Sequence, residues 1–319
     1  MSVILAFADP TEEVLSHGLF RIGPMTVNNH MIMALVAAVL MLLIFPRLFG
    51  RPDPAAPSGM KNFFEAILEF MRNEVFRPAL KEYTDQFVPF LWTMFFFILF
   101  CNVLGCIPFA TVFELITGGR VQYLGGAATG SITTTAVLAL CAFFFIHFNG
   151  VGMVARALMD GTYGQHGPHE EHASSGHPPH ARAPASPVKA IVLAIPLYLW
   201  NFAPHPFKPL PGESKWKWAA DLPMFALLLF LELIGALIKP FALCMRLFAN
   251  MIAGHIVLAV LIGLIVSVPS VLGQLAVGLP LALLDLGVQI LEIFVAFLHA
   301  YIFTFLTTLF LASAVAPEH

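Results

Sequence analysis

The chain has 319 residues, 59% of them hydrophobic and only 11% charged, with a mean hydropathy of +0.84. Soluble domains carry about 25% charged residues, so this composition excludes an ordinary soluble domain and points to an integral membrane protein. The formal net charge of -3 says little where lipid is the main solvent, and no nucleic-acid partner is expected. Cys101, Cys106, Cys141 and Cys244 lie in apolar runs without CxxC spacing and read as buried small hydrophobes rather than as a disulfide or metal set. Met1 to Ala8 is apolar but lacks a basic flank, so a cleaved signal peptide is not expected.

Residues 1–26 form an outer-side segment, polar over 9–26 with Asp9, Glu12, Glu13, His17 and Arg21. A first membrane helix is expected over Val27–Phe45, closed by Pro46 and Arg47, with Pro52, Pro54 and Pro57 stiffening the linker after it. Over 60–82, Phe63, Phe64, Ile67, Leu68, Met71, Val75 and Phe76 recur at helical spacing opposite Lys61, Glu65, Glu69, Arg72 and Glu74. That pattern fits an amphipathic helix lying on the membrane surface. Further spans are expected over Phe87–Phe109 and Ser131–Phe148, joined by a loop with Gly118, Gly119 and Arg120. Residues 151–221 form a cytoplasmic loop, in which Gly164–Pro187 reads as a loosely ordered His/Pro-rich insert. Its five histidines (His166, His169, His172, His177 and His180) are read as a solvated linker rather than a metal site. Ile191–Trp200 is too short to cross and suits an interfacial or re-entrant piece.

Two apolar segments close the chain, 222–268 and 271–315, with Pro269 and Gly273 at the join. Each would measure about 65–70 Å as one helix, against a hydrocarbon core of about 30 Å. Either each crosses twice or each is a strongly tilted helix, and Pro240 could end a helix or only kink it. Basic residues cluster between the first two spans and again between the third span and the long pair, whereas Arg21 and Arg120 fall on the other side. The positive-inside rule then puts the N-terminus outside and the C-terminus in the cytoplasm.

Polar groups inside the long segments carry the chemistry. An arginine at the bilayer centre costs at least about 2.5–3.5 kcal/mol on insertion scales, and Arg246 cannot usefully deprotonate to escape that cost. Glu232, Lys239 and Arg246 are spaced by seven, which sets them within about 40° of one another on a helix. Asn250 lies one turn beyond Arg246, and His255 points to roughly the opposite face. In the second segment Asp285, Glu292 and His299 repeat the seven-residue spacing, with Gln289 beside them. Such groups singly can join helices by hydrogen bonds, and Glu232 and Lys239 could snorkel to the interface. Aligned on two adjacent segments, they read as an ion path or proton relay. No phosphate-cradling glycine loop and no nucleophilic triad occurs, so no nucleotide, cofactor or catalytic metal is expected on this chain.

Arg246-Leu-Phe-Ala-Asn250-Met-Ile-Ala-Gly254-His255 resembles the arginine motif of subunit a of F-type rotary ATP synthases. Leu298-His299-Ala300-Tyr301-Ile302-Phe303 is similar to that subunit's last helix, Asn102-Val-Leu-Gly105-Cys-Ile-Pro108 to the end of its second span, and Thr129-Gly-Ser131-Ile-Thr133 to the start of the next. The resemblance is strong over 222–313, moderate over 86–150 and absent over 160–218.

It implies an all-α integral membrane protein of about five membrane helices, the last two long and strongly tilted, plus the amphipathic surface helix. It implies a proton-conducting subunit that is not itself an enzyme, in the bacterial inner membrane, with a ring of c subunits and peripheral-stalk b subunits as partners. Arg246 would separate two half-channels and favour the deprotonated carboxylate of the ring. Asn250, His255, Asp285, Gln289, Glu292 and His299 would belong to the outer path, and Glu232 and Lys239 to the cytoplasmic side. His255 and Glu292 are exchanged relative to many bacterial members, which suggests that the two side chains meet. His299 stands where glutamine is usual, and Ala249 where glycine is usual. Two readings stay open beside this one: a sodium-coupled version of the same subunit, and a secondary ion-coupled transporter, whose usual internal repeats are not found.

Overall fold

Arg21 separates Phe20 from Ile22 before Gly23, and Thr26 separates Met25 from Val27 after it. In the computed structural model of the chain these stretches pair as an antiparallel hairpin, β1 (Gly18–Ile22) with β2 (Met25–Asn28). Gly23 adopts a φ of 60°, which costs glycine nothing. The expected outer-side segment 1–26 did not include this element, because strands of four and five residues leave too short an alternation to stand out.

The structure describes residues 18–23, 25–49, 59–107, 125–161, 186–202 and 215–315. The expected proline linker at 52–57, the loop with Gly118, Gly119 and Arg120, and the histidine insert lie outside them.

Helix α1 (Asn29–Phe49) runs through Pro46 rather than stopping at Phe45. Arg47 helps to close it, donating from Nη1 to the Leu43 carbonyl at 2.9 Å. The amphipathic stretch begins as α2 (Met60–Phe70), passes through a π-helical turn (Met71–Phe76), α3 (Arg77–Leu80) and a 3-10 turn, and enters α4 (Thr84–Gly105). Its apolar side packs on its neighbours. Phe64 meets Phe45 of α1 and Phe96 of α4 with ring centroids 5.6 and 5.7 Å apart, and Phe45 meets Phe96 at 4.8 Å. Met71, Val75, Phe76 and Leu80 are also buried. Lys81 turns with a φ of 51°, and the Thr84 hydroxyl donates to its carbonyl at 2.6 Å.

Helix α5 (Ile132–Met159) continues eleven residues past the expected end at Phe148. Gly150 does not break it, because that glycine serves close packing. A Cβ there would lie 2.5 Å from the Tyr198 ring of α6 (Pro187–Phe202). On α6, Ala190, Ala194 and Tyr198 form one buried stripe at four-residue spacing.

The long segments are single helices. Helix α7 (Lys215–Ser267) has 53 residues and takes in Pro223 and Pro240; α8 (Val271–Val315) has 45 and takes in Pro280. At 1.5 Å per residue they measure about 80 and 68 Å, so double crossing is excluded and Pro240 ends nothing. Helix α7 starts seven residues before the expected 222. Ser270 caps α8: its hydroxyl accepts from the Gly273 amide at 3.1 Å, and Gln274 Nε2 donates to the Val268 carbonyl at 2.8 Å.

Five helices among the described residues are long and apolar enough to cross a membrane. Large apolar side chains on them stand bare, among them Leu42, Leu272 and Leu279, as lipid-facing surface requires. The protein is an all-α integral membrane protein with one small hairpin. Its described residues fall into two compact units, one from 1–139 with 242–306 and the other from 140–241 with 307–319. In the first, Met33, Ala37, Cys101, Leu104 and Ala128 form a core. Cys101 and Cys244 are buried as expected, but Cys106 is half-buried and Cys141 exposed, because α5 turns Cys141 outward on an apolar face.

Candidate functional site

The first unit holds 242–306, and in it the six residues expected on the outer path stand in three close pairs. His255 Nδ1 lies 3.7 Å from Glu292 Oε1, so the acid and the imidazole do meet. Glu292 is only 6% exposed. Neither of its oxygens has a hydrogen bond, nor does His255 Nε2. A buried carboxyl without donors is costly as a fixed anion, and suits a group that holds a proton in passing. Gly254 makes room for it. A Cβ at that position would lie 2.8 Å from Glu292 Oε1 and 3.3 Å from its Cδ, so only glycine lets the carboxyl reach the α7 backbone.

One turn before Glu292, Gln289 Nε2 donates to Asp285 Oδ2 at 3.2 Å. One turn beyond Ala296, His299 Nδ1 lies 2.8 Å from the Val295 carbonyl and 3.5 Å from Asn250 Nδ2. The short contact to a carbonyl requires Nδ1 to carry hydrogen, leaving Nε2 as the nitrogen that can exchange a proton. Arg246 and His299 line one cleft with Leu243, Leu247, Ile302 and Phe303. Arg246 is exposed, and no carboxylate of the described residues lies within ion-pair distance of it.

Glu232 and Lys239 belong to the second unit. Lys239 Nζ is 3.6 Å from Glu232 Oε1, as the seven-residue spacing allows for two long side chains, and 5.0 Å from the Phe310 ring centroid. In that unit His147 Nδ1 and the Tyr198 hydroxyl form a 2.8 Å hydrogen bond, and burial holds the Tyr198 phenol above its usual range. No cluster of metal-ligating side chains occurs among the described residues.

Several polar residues at this site carried no expected role. Asn102 is fully buried; its Nδ2 donates to the Ala296 carbonyl at 3.2 Å and its Oδ1 accepts from Thr129 Oγ1 at 2.6 Å. Asn29 Nδ2 donates to the Gly125 carbonyl, and His30 Nδ1 lies 2.8 Å from the Ala127 carbonyl. Asn102 and Thr129 stood in stretches that carry the family resemblance. His30 could have been noticed as a titratable residue opening an apolar run.

The family model for the ATP synthase A chain matches residues 31–161 and 179–312, which covers the paired residues on α7 and α8. The chain belongs to the ATP synthase A chain family. ATP synthase subunit a of Myxococcus xanthus is 31% identical over 299 residues, covering 92% of this chain and 75% of that protein. That of Chloroherpeton thalassium is 31% identical over 306 residues, covering 92% and 68%. That of Anaeromyxobacter sp. (strain Fw109-5) is 32% identical over 294 residues, with 92% of this chain but only 55% of that protein covered. The match thus spans little more than half of some relatives. Within the chain the family match leaves out 162–178, a shorter stretch than the 160–218 over which no resemblance was expected.

Proposed function

We propose that this chain is the proton-conducting membrane subunit of a bacterial rotary ATP synthase. The observation that carries the reading is Arg246: exposed in the middle of an apolar helix, beside the proton-exchanging His299, with no acidic partner among the described residues. A guanidinium so placed calls for a partner beyond the described residues, and a carboxylate of another chain is the group that matches its charge. A c subunit's carboxylate, passing in turn as its ring rotates, is that partner.

Protons reach the ring from outside past Asp285, Gln289, the His255–Glu292 pair, His299 and Asn250. They leave toward the cytoplasm past Glu232 and Lys239. Arg246 keeps the two half-channels apart, because its fixed charge favours the ionised ring carboxylate and blocks a proton from passing directly. The chain binds no nucleotide, works with c and b subunits in the inner membrane, and has its N-terminus outside.

ATP-driven acidification of inverted vesicles in sodium-free buffer tests the coupling ion. Full acidification is expected. Acidification that appears only when sodium is added would overturn the proton reading in favour of the sodium-coupled one.

A further inference from the structure

His30 opens α1 and is 3% exposed, so an imidazole has been placed inside the protein at the end of a membrane helix. Two neighbouring side chains fix that end to the 125–130 segment: Asn29 donates to the Gly125 carbonyl at 3.1 Å, and His30 Nδ1 meets the Ala127 carbonyl at 2.8 Å. That segment is itself locked to α4 and α8. A Cβ on Gly105 would collide with the Ala127 Cβ, and Thr129 bonds Asn102, which bonds the Ala296 carbonyl. Ala296 is one turn from Glu292, which meets His255. His30 is therefore built into the same packed assembly as the acid–imidazole pair.

We propose that His30 carries protons inside the outer path, relaying them from the outer side to the His255–Glu292 pair. This deepens the proton-path reading and rests on it. The Ala127 carbonyl holds the hydrogen on Nδ1, so the buried His30 Nε2 is the atom that gains a proton and releases it again. His255 faces Glu292 with Nδ1, which leaves Nε2 to receive. One proton enters the His255 ring at Nε2 as another leaves from Nδ1 to the carboxylate, and no net charge accumulates on the imidazoles. The titratable groups of this assembly are His30 on α1, Cys101 on α4, Cys106 with its thiol on the Asn102 carbonyl, His255 on α7 and Glu292 on α8; Asn29, Thr129 and the 125–130 backbone are neutral.

The test is ATP synthesis by the whole complex in proteoliposomes after an acid step, over a range of outer-side pH, with rates normalised to assembled complex. His30→Gln keeps a donor for the Ala127 carbonyl but cannot carry a proton; Asn29→Ala loosens the same segment without removing a titratable group. Expected is a loss of about tenfold for His30→Gln, with a changed dependence on outer pH, and a native-shaped pH profile for Asn29→Ala. A His30→Gln rate within about twofold of native overturns the proposal. So does a rate lowered by one factor at every pH, because that marks a positioning role only. If His30→Gln fails to assemble, His30→Asn is judged by the same criteria. A native complex that makes no ATP sinks the proton-path reading and this inference together, whereas a normal native rate with an indifferent His30→Gln sinks the inference alone.

Discussion

Gly254→Ala separates the stability of α7 from the use of its carboxyl partner. The added Cβ would lie 2.8 Å from Glu292 Oε1, whereas ordinary contact begins at 3.4 Å, so the carboxyl must retreat by about 0.6 Å. The retreating atom is the end of a flexible side chain, which makes the move cheap. Alanine in a helix interior is favoured over glycine by about 0.8–1 kcal/mol. Assembly should therefore hold or improve. Proton transfer should suffer, because a misplacement of about 1 Å in a positioned group can cost about 10²-fold. On that scale, moving Glu292 relative to His255 predicts about a tenfold loss of passive proton conductance through the membrane sector. The assay is decay of an imposed pH gradient in vesicles at matched complex abundance. Gly152→Ala is the control, since a Cβ there meets nothing within 4 Å. Conductance of Gly254→Ala within about twofold of the Gly152→Ala control would refute the role given to the Glu292 position.

Other consequences follow from the same geometry. Exchanging the pair (His255→Glu with Glu292→His) should conduct better than either single variant, measured as the same gradient decay, because it restores one acid facing one imidazole. Asn102→Ala leaves the Thr129 hydroxyl and the Ala296 carbonyl short of a partner; it should cost about 1–3 kcal/mol, read as a lower melting temperature of the purified complex. Gly150→Val should loosen α6 from α5, where a Cβ already collides with the Tyr198 ring, and expose α6 to protease; Tyr198→Phe, which keeps the ring and removes the hydroxyl that meets His147, should do so less. Lys239→Ala should change stability by less than about 1 kcal/mol, because the Lys239–Glu232 pair is more than a third exposed.

Much of the fold was legible because the physics of the bilayer is severe. Runs of apolar residues set the helices, and a charge such as Arg246 cannot hide among them. Where the reading was undecided or wrong, a contact between distant residues was responsible. Hydropathy could not say whether Pro240 broke α7, since a proline's freed backbone groups are satisfied or not by packing. The span expected to end at Phe148 runs on to Met159, and the Gly150 inside it makes room for a tyrosine 48 positions later. The β1–β2 hairpin is too short for its alternation to outweigh the polarity around it. At the site, seven-residue spacing gathered Asp285, Glu292 and His299, and the exchange of acid and imidazole correctly anticipated the His255–Glu292 contact. Periodicity on α7 and α8 carries no information about α1 or the 125–130 segment, so His30 and the Asn102–Thr129 bond escaped it.

The central claim is that Arg246 separates two proton paths at a rotating ring. ATP-driven proton pumping in inverted membrane vesicles tests it most directly, comparing the native chain with Arg246→Ala at equal abundance of assembled complex. The account predicts that pumping is lost while the complex remains assembled. Undiminished pumping by Arg246→Ala would contradict it.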